Sequence, residues 1–293
     1  METGTKRIIK YLLCPLLIAA GLVGVAAREF KPDYLLHVSF YDVGQGDAAL
    51  VRTFEGNQIL IDGGPSDAIL SRLGSDLPFY DRSIEAVILT HPHADHLSGL
   101  VDVLRRYRVR RILMPEFKDA DSAAFREFLG TAQEKRVPIV FLKTGERVYL
   151  DDATVFDVLS PQGSVLGAVT DQSSGEGKGV NDGSLVGRLS FGQTRFLFEA
   201  DAGANVESSL AGRYDLQADV LKVAHHGSAY ASSSGFLAQV RPRYAVIEVG
   251  KNNYGHPADE VLDNLKKAGV TVLRTDQDGT VKFTSDGGSV LLK

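Results

Sequence analysis

Three of the seven histidines in the chain lie in one short stretch beside an aspartate, a combination suited to binding metal ions. The stretch "THPHADHLSGL" places His91, His93, Asp95 and His96 directly after the apolar run "AVIL". Imidazole and carboxylate groups bind Zn²⁺, Mn²⁺ and iron ions, and a loop at a strand end can hold them with one coordination position open. The alternative is a polar turn in which Asp95 caps a helix, but the spacing favours a metal site.

The composition is that of a packed globular protein, since 44% of the 293 residues are hydrophobic and 24% are charged. The formal net charge of −5 does not indicate a broad basic surface for duplex nucleic acid. The basic runs "RRYRVRR" and "RPR" could contact phosphate groups. They are more simply explained as the solvated ends of a helix and a strand.

Residues 1–27 have the pattern of a secretory signal peptide: basic "KRIIK", uncharged "YLLCPLLIAAGLVGVAA", and small residues before Arg28. The alternative is an uncleaved membrane anchor, although the apolar run is short for a span and contains Pro15. We expect an exported protein that is periplasmic, extracellular or tethered facing outward. Cys14 is the only cysteine, so cleavage would leave no disulfide, thiolate ligand or cysteine nucleophile.

From residue 28 onward, strand patterns alternate with helical patterns, which predicts one domain over 28–293. Helices are predicted near 97–106 and after a cap at Asp121, and the Gly- and Ser-rich residues 161–183 predict a long loop. Each half opens with a meander of strands, so two facing sheets covered by helices are the simplest layered arrangement. The main strand patterns are "LLHVSFYDV", "AALVRTF", "QILIDGG", "IEAVILT", "SLVGRLSF", "TRFLFEA", "ADVLKVA" and "YAVIEV".

Seven motifs in the chain resemble the metallo-β-lactamase superfamily, and in particular the hydrolase domain of competence DNA-uptake proteins of the ComEC/Rec2 group. The resemblance covers essentially all of 28–293 and implies an α/β fold, an αββα sandwich of two facing mixed sheets with helices outside. The full uptake proteins carry many membrane spans, so we expect a stand-alone exported form of their hydrolase domain. The motifs, in order, are "FYDVGQGDAALV", "ILIDGG", "LTHPHADHLSGL", "NDGSLVGRL", "DVLKVAHHGS", "NNYGHP" and "RTDQDGTV".

The resemblance implies two divalent metal ions that share one carboxylate. His91 and His93 would bind the first ion, and Asp95 and His96 the second. Asp201 in "FLFEADAG" matches the bridging carboxylate, although "EADAG" lacks the Gly and Glu that usually flank it.

A pair of histidines in "AHHGS" supplies the remaining ligand candidate. The resemblance implies His225, because the family's ligand commonly stands two places before the small residue, here Gly227. His226, or His256 in "NNYGHP", would then protonate the leaving oxygen. The alternatives are a polar turn for "AHHGS" and a helix-start residue for His256. Asn252 of the same motif is expected near the substrate or behind the ligands.

One departure from the family concerns the first ion. Where lactamases and glyoxalases place a third histidine, this chain has Asn181, Asp182, Gly183 and Ser184, a substitution that the competence group shares. Asp182 would supply an oxygen instead, or the first site is weak and fills only with substrate bound. Asn181 and Ser184 are expected beside the substrate. Fewer nitrogen ligands favour Mn²⁺, while Zn²⁺ remains the default expectation.

Two further aspartates end strand patterns and could orient the ligands. Asp62 in "LIDGG" could accept the second ring proton of a ligand histidine and so fix its tautomer. It could equally form an ordinary Asp-Gly turn. Asp47 in "GQGD" has the same two interpretations.

The resemblance favours an exported metal-dependent hydrolase, a phosphodiesterase or nuclease that acts on DNA through a metal-activated water. The alternatives are hydrolysis of another envelope phosphodiester, of choline- or polyol-phosphate type, and a non-catalytic metal-binding module. The missing third histidine disfavours β-lactam hydrolysis. Membrane contact is expected only through residues 1–27, if they are not cleaved.

Overall fold

The computed structural model describes residues 34–117, 122–161 and 178–293. The predicted signal peptide or anchor, 1–27, lies outside the described residues, as does most of the predicted loop 161–183. The end of that loop is a short helix, Lys178–Asp182, where the sequence predicted irregular structure. Within the described parts of the chain, no helix has the length and apolar character needed to cross a membrane.

The strands in chain order are β1 (Leu36–Phe40), β2 (Ala49–Arg52), β3 (Gln58–Ile61), β4 (Ser83–Ile84), β5 (Ala86–Ile88), β6 (Arg108–Val109), β7 (Ile112–Met114), β8 (Ile139–Phe141), β9 (Arg147–Tyr149), β10 (Thr154–Ser160), β11 (Val186–Phe191), β12 (Thr194–Phe198), β13 (Val220–Lys222), β14 (Tyr244–Ile247), β15 (Thr271–Arg274), β16 (Val281–Ser285) and β17 (Val290–Leu292). The described helices are α1 (Ala68–Asp76), α2 (Ala94–Arg106), α3 (Ala123–Glu134), α4 (Lys178–Asp182), α5 (Ala204–Leu210), α6 (Ser234–Val240), α7 (Asp259–Lys267) and α8 (Thr275–Asp278), with a 3₁₀ turn at Ala224–Gly227.

Two large mixed sheets form the centre of the fold. The first has the order β17-β16-β1-β2-β3-β5-β7-β8, and the second has the order β15-β14-β13-β12-β11-β10-β9. In each sheet an antiparallel meander continues into parallel strands: β3, β5, β7 and β8 in the first, and β12 to β15 in the second. Ligand sites in sheets of this kind lie at the carboxyl ends of parallel strands, which is where the predicted metal ligands occur.

The main core lies between the two sheets and is rich in phenylalanine. Phe40 of β1 stacks on Phe198 of β12 with ring centroids 5.7 Å apart, and Phe196 meets Phe283 of β16 edge-on at 6.1 Å. Two further buried apolar clusters lie between the outer faces of the sheets and the helices. The predicted αββα sandwich is therefore confirmed, and its sheets are joined by apolar burial on their inner faces.

Helix starts differ from the sequence prediction at two places. The first turn of α2 begins at Ala94, not near Leu97, so it includes Asp95 and His96. Ser122 caps α3, because its side chain accepts a hydrogen bond from the Phe125 N–H. Asp121, which the sequence predicted as the cap, lies outside the described residues.

Helix α2 packs so closely on the first sheet that two glycines are required. The Gly63 N–H donates to the His96 carbonyl at 2.7 Å, and the Gly99 N–H donates to the Gly64 carbonyl at 3.0 Å. A Cβ atom at Gly99 would overlap the carbonyl oxygen of Gly63. The start of α2, which carries two predicted ligands, is thereby fixed against the loop after β3.

We expect Gly99→Ala to lower the free energy of unfolding by about 1–3 kcal/mol, because the added methyl group forces backbone apart. Urea denaturation of the purified protein measures this change. The matched control is Gly130→Ala in α3, where nothing lies within 4 Å of the new Cβ. That substitution should stabilise the protein by up to ~1 kcal/mol through helix propensity. Equal stabilisation by both would contradict the close packing.

Candidate metal centre

The buried carboxylate of Asp201, three residues after β12, stands between two sets of histidines. Its Oδ1 atom lies 3.3 Å from His96 Nε2 and 4.0 Å from His226 Nε2. Its Oδ2 atom lies 3.6 Å from His91 Nε2 and 3.7 Å from His225 Nε2. One carboxylate thus faces two separate sets of imidazoles through its two oxygens, as a bridge between two cations would.

Two candidate ligand groups share this carboxylate. In the first, the ligand atoms of His91, His93 and Asp201 lie within 4.8 Å of one another. In the second, the same holds for Asp95, His96, Asp201 and His226. We call them the three-residue group and the four-residue group.

Buried atoms that lack a protein partner support a cation in these groups. His96 Nε2 and Asp201 Oδ1 are buried and make no hydrogen bond. Buried polar atoms are nearly always satisfied, so an orphaned pair facing each other calls for a further partner. A divalent cation between an imidazole nitrogen and a carboxylate oxygen supplies it, and the donor set of nitrogen and oxygen suits Zn²⁺ or Mn²⁺.

The charge states of His91 and of two carboxylates suit a bound cation. Burial and the nearby His96 hold the pKa of His91 well below its usual value, so this ring is neutral and free to donate a lone pair. Burial alone would raise the pKa of Asp201, but His96 and His226 outweigh it and hold the pKa well below the usual range. Asp95 has a lowered pKa for the same kind of reason, chiefly its hydrogen bond with His226. The carboxylates are therefore ionised at neutral pH.

Asp62 fixes the ring of His96. The Asp62 Oδ2 atom lies 2.8 Å from His96 Nδ1 and accepts a hydrogen bond from the Thr90 hydroxyl at 2.6 Å. The Oδ1 atom accepts from the Thr90 N–H at 2.9 Å. A carboxylate on one ring nitrogen directs the other towards the metal position. Asp62 lies directly after β3 and has a left-handed φ of 55°. The structure therefore places this aspartate behind a candidate ligand.

Asp47 lies beside His226 in a buried charge network, while the Glu248 carbonyl lies 2.8 Å from His226 Nδ1 and forms the hydrogen bond of that atom. The Asp47 Oδ1 atom lies 3.2 Å from His226 Nδ1, and its Oδ2 atom pairs with the ammonium of Lys222. Lys222 Nζ also donates to the Ala200 carbonyl at 3.1 Å, and Glu248 accepts from the Ala48 N–H at 2.9 Å. The Asp47 charge and that of Glu248 outweigh burial and raise the pKa of Lys222, so Lys222 stays charged.

Sequence analysis missed Lys222 and Glu248. Both are almost fully buried, Lys222 as the last residue of β13 and Glu248 immediately after β14. A single charged residue within an apolar strand run, as in "DVLKVA" and "AVIEV", was the available signal. Such residues are rarely buried without a partner.

The structure exchanges the expected positions of His225 and His226. His226 belongs to the four-residue group and is 2% exposed, whereas His225 is outside both groups, 25% exposed, and lines a cavity. The reason is the 3₁₀ turn, in which both histidines take left-handed φ angles of 48° and 53°. This conformation separates the two ring centroids by 6.0 Å at an interplanar angle of 67°. The sequence interpretation had made His225 the ligand and His226 a proton donor.

Two cavities open onto the ligand groups. The larger cavity, about 770 Å³, is lined by His93, Asp95, His226 and His256, among others. The smaller cavity has a volume of about 360 Å³. Five residues line both cavities: Asn181, Asp201, His225, Ala229 and Tyr230.

The remaining predicted residues occupy different positions around this site. His256 faces the larger cavity, with its ring centroid 5.4 Å from that of His225. Asn252 accepts from the His256 N–H at 3.1 Å and donates to its carbonyl at 2.8 Å, so it shapes the loop that carries His256. Asp182 lines the smaller cavity but joins neither described ligand group, and Ser184 is buried without lining either cavity.

Comparison with known proteins matches most of this chain to one family. The model of the metallo-beta-lactamase superfamily matches residues 41–250. ComE operon protein 3 of Bacillus subtilis is 31% identical over 265 residues, which cover 84% of this chain and 32% of the relative. Competence protein ComA of Neisseria gonorrhoeae is 30% identical over 280 residues, covering 94% and 36%. The chain therefore spans about a third of the length of these relatives.

A solved structure shares the fold. The diiron beta-hydroxylase CmlA from Streptomyces venezuelae superposes with a TM-score of 0.55 at 16% identity, over 87% of this chain and 54% of that protein. At this identity the likeness concerns the arrangement of sheets and helices alone.

We expect Asp62→Asn to weaken metal binding by about 10–100-fold, because the amide no longer fixes His96 as a carboxylate does. Competition with a chromophoric chelator measures the affinity for Zn²⁺ and Mn²⁺. The control is Asp102→Asn on α2. The Asp102 side chain is 34% exposed, lies 3.9 Å from Arg105 and belongs to neither ligand group. Unchanged affinity in Asp62→Asn would contradict the positioning role.

Proposed function

This chain belongs to the metallo-beta-lactamase superfamily, and from that premise we propose that it is a metal-dependent phosphodiesterase that acts on DNA. The observation that carries the proposal is the sharing of Asp201 by two ligand groups at the junction of two open cavities. Paired metal sites of this kind suit phosphoryl displacement, in which attacking and leaving oxygens both need stabilisation. A non-catalytic module would not need open space beside both groups.

The residues of the chain would divide the work as follows. His91 and His93 hold one divalent cation, while Asp95, His96 and His226 hold the other, and Asp201 serves both. Bound Zn²⁺ or Mn²⁺ would lower the pKa of water and neutralise charge on the phosphate. Asp62 and the Glu248 carbonyl keep the rings of His96 and His226 in the orientation that binding needs. The three-residue group has fewer ligands, which makes it the weaker site.

Two histidines are placed to donate a proton to the leaving oxygen. His225 and His256 both line the larger cavity and lie outside the two ligand groups. A general acid must lie within hydrogen-bond reach of the leaving group, and a ring that faces the cavity meets this condition better than a buried ligand. We therefore assign the donor role to His225 or His256 in place of His226.

The choice of DNA rests on the resemblance of the motifs to competence DNA-uptake proteins, and one of the relatives is named a competence protein. The basic run "RRYRVRR" does not support it, since it begins at the far end of α2, roughly 15 Å along the helix from Asp95. The rival substrate is another phosphodiester of the cell envelope. The proposal includes export of a domain covering 28–293, with residues 1–27 as signal peptide or membrane anchor.

We expect Asp95→Ala to reduce hydrolysis of bis(4-nitrophenyl) phosphate to background with Zn²⁺ or Mn²⁺ added, while circular dichroism stays unchanged. A chelator should abolish wild-type turnover, and added metal should restore it. The matched control is Asp102→Ala, since Asp95 and Asp102 lie on the same helix with side chains 35% and 34% exposed. Full turnover in Asp95→Ala would remove the proposed mechanism.

DNA and the envelope phosphodiester are separated by a second assay. We expect the protein to cleave oligonucleotides. Its affinity for them should fall as the salt concentration rises, because a polyanion releases counterions when it binds. If a glycerophosphocholine-type diester is turned over faster than DNA, and at a rate independent of salt concentration, the envelope phosphodiester is favoured as the substrate. The measurement is kcat/KM for both substrates between low and physiological salt.

A further inference from the structure

The smaller cavity has no role in the hydrolysis described above, yet it opens directly beside the ligand groups. It shares Asp201 and His225 with the metal centre and has a volume of about 360 Å³. That volume lies within the ~300–1,000 Å³ typical of small-molecule sites. A substrate whose phosphate met the ligand groups would therefore have room for a neighbouring chemical group in this cavity.

The lining of the smaller cavity selects against phosphate and in favour of hydrogen-bond donors. Asp182 and Glu260 contribute carboxylates, and Asn205 and Asn264 contribute amides. Among the described residues that line it, none is lysine or arginine. A phosphate group would be repelled there, whereas an amino group on an uncharged ring could donate to Glu260. Glu260 and Asn264 lie four residues apart on α7, hence on one face of that helix.

One exposed aromatic ring forms the boundary of the cavity. Tyr230 is 60% exposed and lines both cavities, so its ring borders solvent beside the metal centre. Aromatic side chains of this kind serve as stacking surfaces for unpaired nucleobases. A quaternary ammonium group is usually bound by a cage of several aromatic rings, and tyrosine occurs only once in this lining.

The backbone around Tyr230 is fixed although its ring is exposed. The Tyr230 carbonyl accepts from the Ala204 N–H at 2.8 Å. The buried carboxylate of Glu207 accepts from the N–H groups of Ser232 and Ser233, the latter at 3.3 Å. These bonds tie the backbone of residues 230–233 to α5. The backbone that carries the ring is therefore held in place before a ligand arrives, which reduces the entropy lost on binding.

We propose that the smaller cavity binds one unpaired nucleobase next to the scissile phosphate, with Tyr230 stacking on the ring and Glu260 accepting from its amino group. This inference rests on the phosphodiesterase activity proposed above and names the part of the substrate that the metal centre does not recognise. A paired base offers neither its face nor its amino edge, so the site selects single-stranded nucleic acid. Carboxylates pair with the N4 amino group of cytosine, so cytosine is preferred over thymine.

The test is a cycle of protein variants against dinucleotides. The ligands are the deoxycytidine dinucleotide and two analogues in which one base or the other is replaced by hydrogen. For one of the two analogues, kcat/KM of the wild type should be lower than for the intact dinucleotide by about 10-fold or more. The same comparison in Tyr230→Leu should show no difference. Tyr230→Phe should retain the base dependence, because it keeps the ring. Glu260→Gln should reduce the preference for the deoxycytidine dinucleotide over the thymidine dinucleotide, which is assayed for this variant and the wild type.

The matched control is Tyr149→Leu, since Tyr149 is 63% exposed on the edge strand β9 and lines neither cavity. It should keep the full base dependence. If dinucleotides are hydrolysed but removal of a base has the same effect in wild type and Tyr230→Leu, the subsite is wrong and the phosphodiesterase stands. If Tyr230 matters only for a choline-bearing diester, the cavity binds a cationic group and the nucleobase proposal is overturned.

A second readout separates failure of the subsite from failure of the proposed function. If no diester is hydrolysed by the metal-loaded protein, the phosphodiesterase proposal fails, and calorimetric binding of the same three ligands decides the subsite. A base-dependent affinity that disappears in Tyr230→Leu would support it. An affinity that is independent of the base in both proteins would overturn it.

Discussion

The Asp201 carboxylate can meet both ligand groups only because the two sheets face each other in one fixed alignment. Asp201 follows β12 of the second sheet, whereas His91 and His96 follow β5 of the first. Phenylalanine rings between the sheets, such as Phe40 on Phe198, set this alignment. Protein interiors are close-packed and resist displacement. The geometry of the metal centre is therefore a property of the core, and the loops only add residues to it.

The charge network behind the ligands explains how so many ionisable groups remain buried together. An unpaired buried charge is strongly destabilising, whereas a paired one is close to neutral in its net effect on stability. Lys222 balances Asp47, and burial together with the Asp47 charge raises the pKa of Glu248. These groups orient His226 more than they stabilise the fold.

The sequence predicted those features that depend on contiguous residues. The meander of β1, β2 and β3 followed from alternating hydrophobicity and turn residues, and the ligands after β5 were recognisable because they occupy one short stretch. The division between His225 and His226 was not predictable in this way. It depends on a left-handed turn whose Gly227 packs against Pro257, thirty positions along the chain. Lys222 and Glu248 were missed because the groups that they contact, Asp47 and the Ala48 N–H, are remote from them in sequence.

Asp201 and His225 line both cavities, and most of the other residues that line the two cavities differ. In the proposed reaction, a strand that lay across this junction would leave one fragment in each cavity. The two fragments would then compete with fresh substrate to unequal extents, and the fold would set the direction in which the strand is threaded.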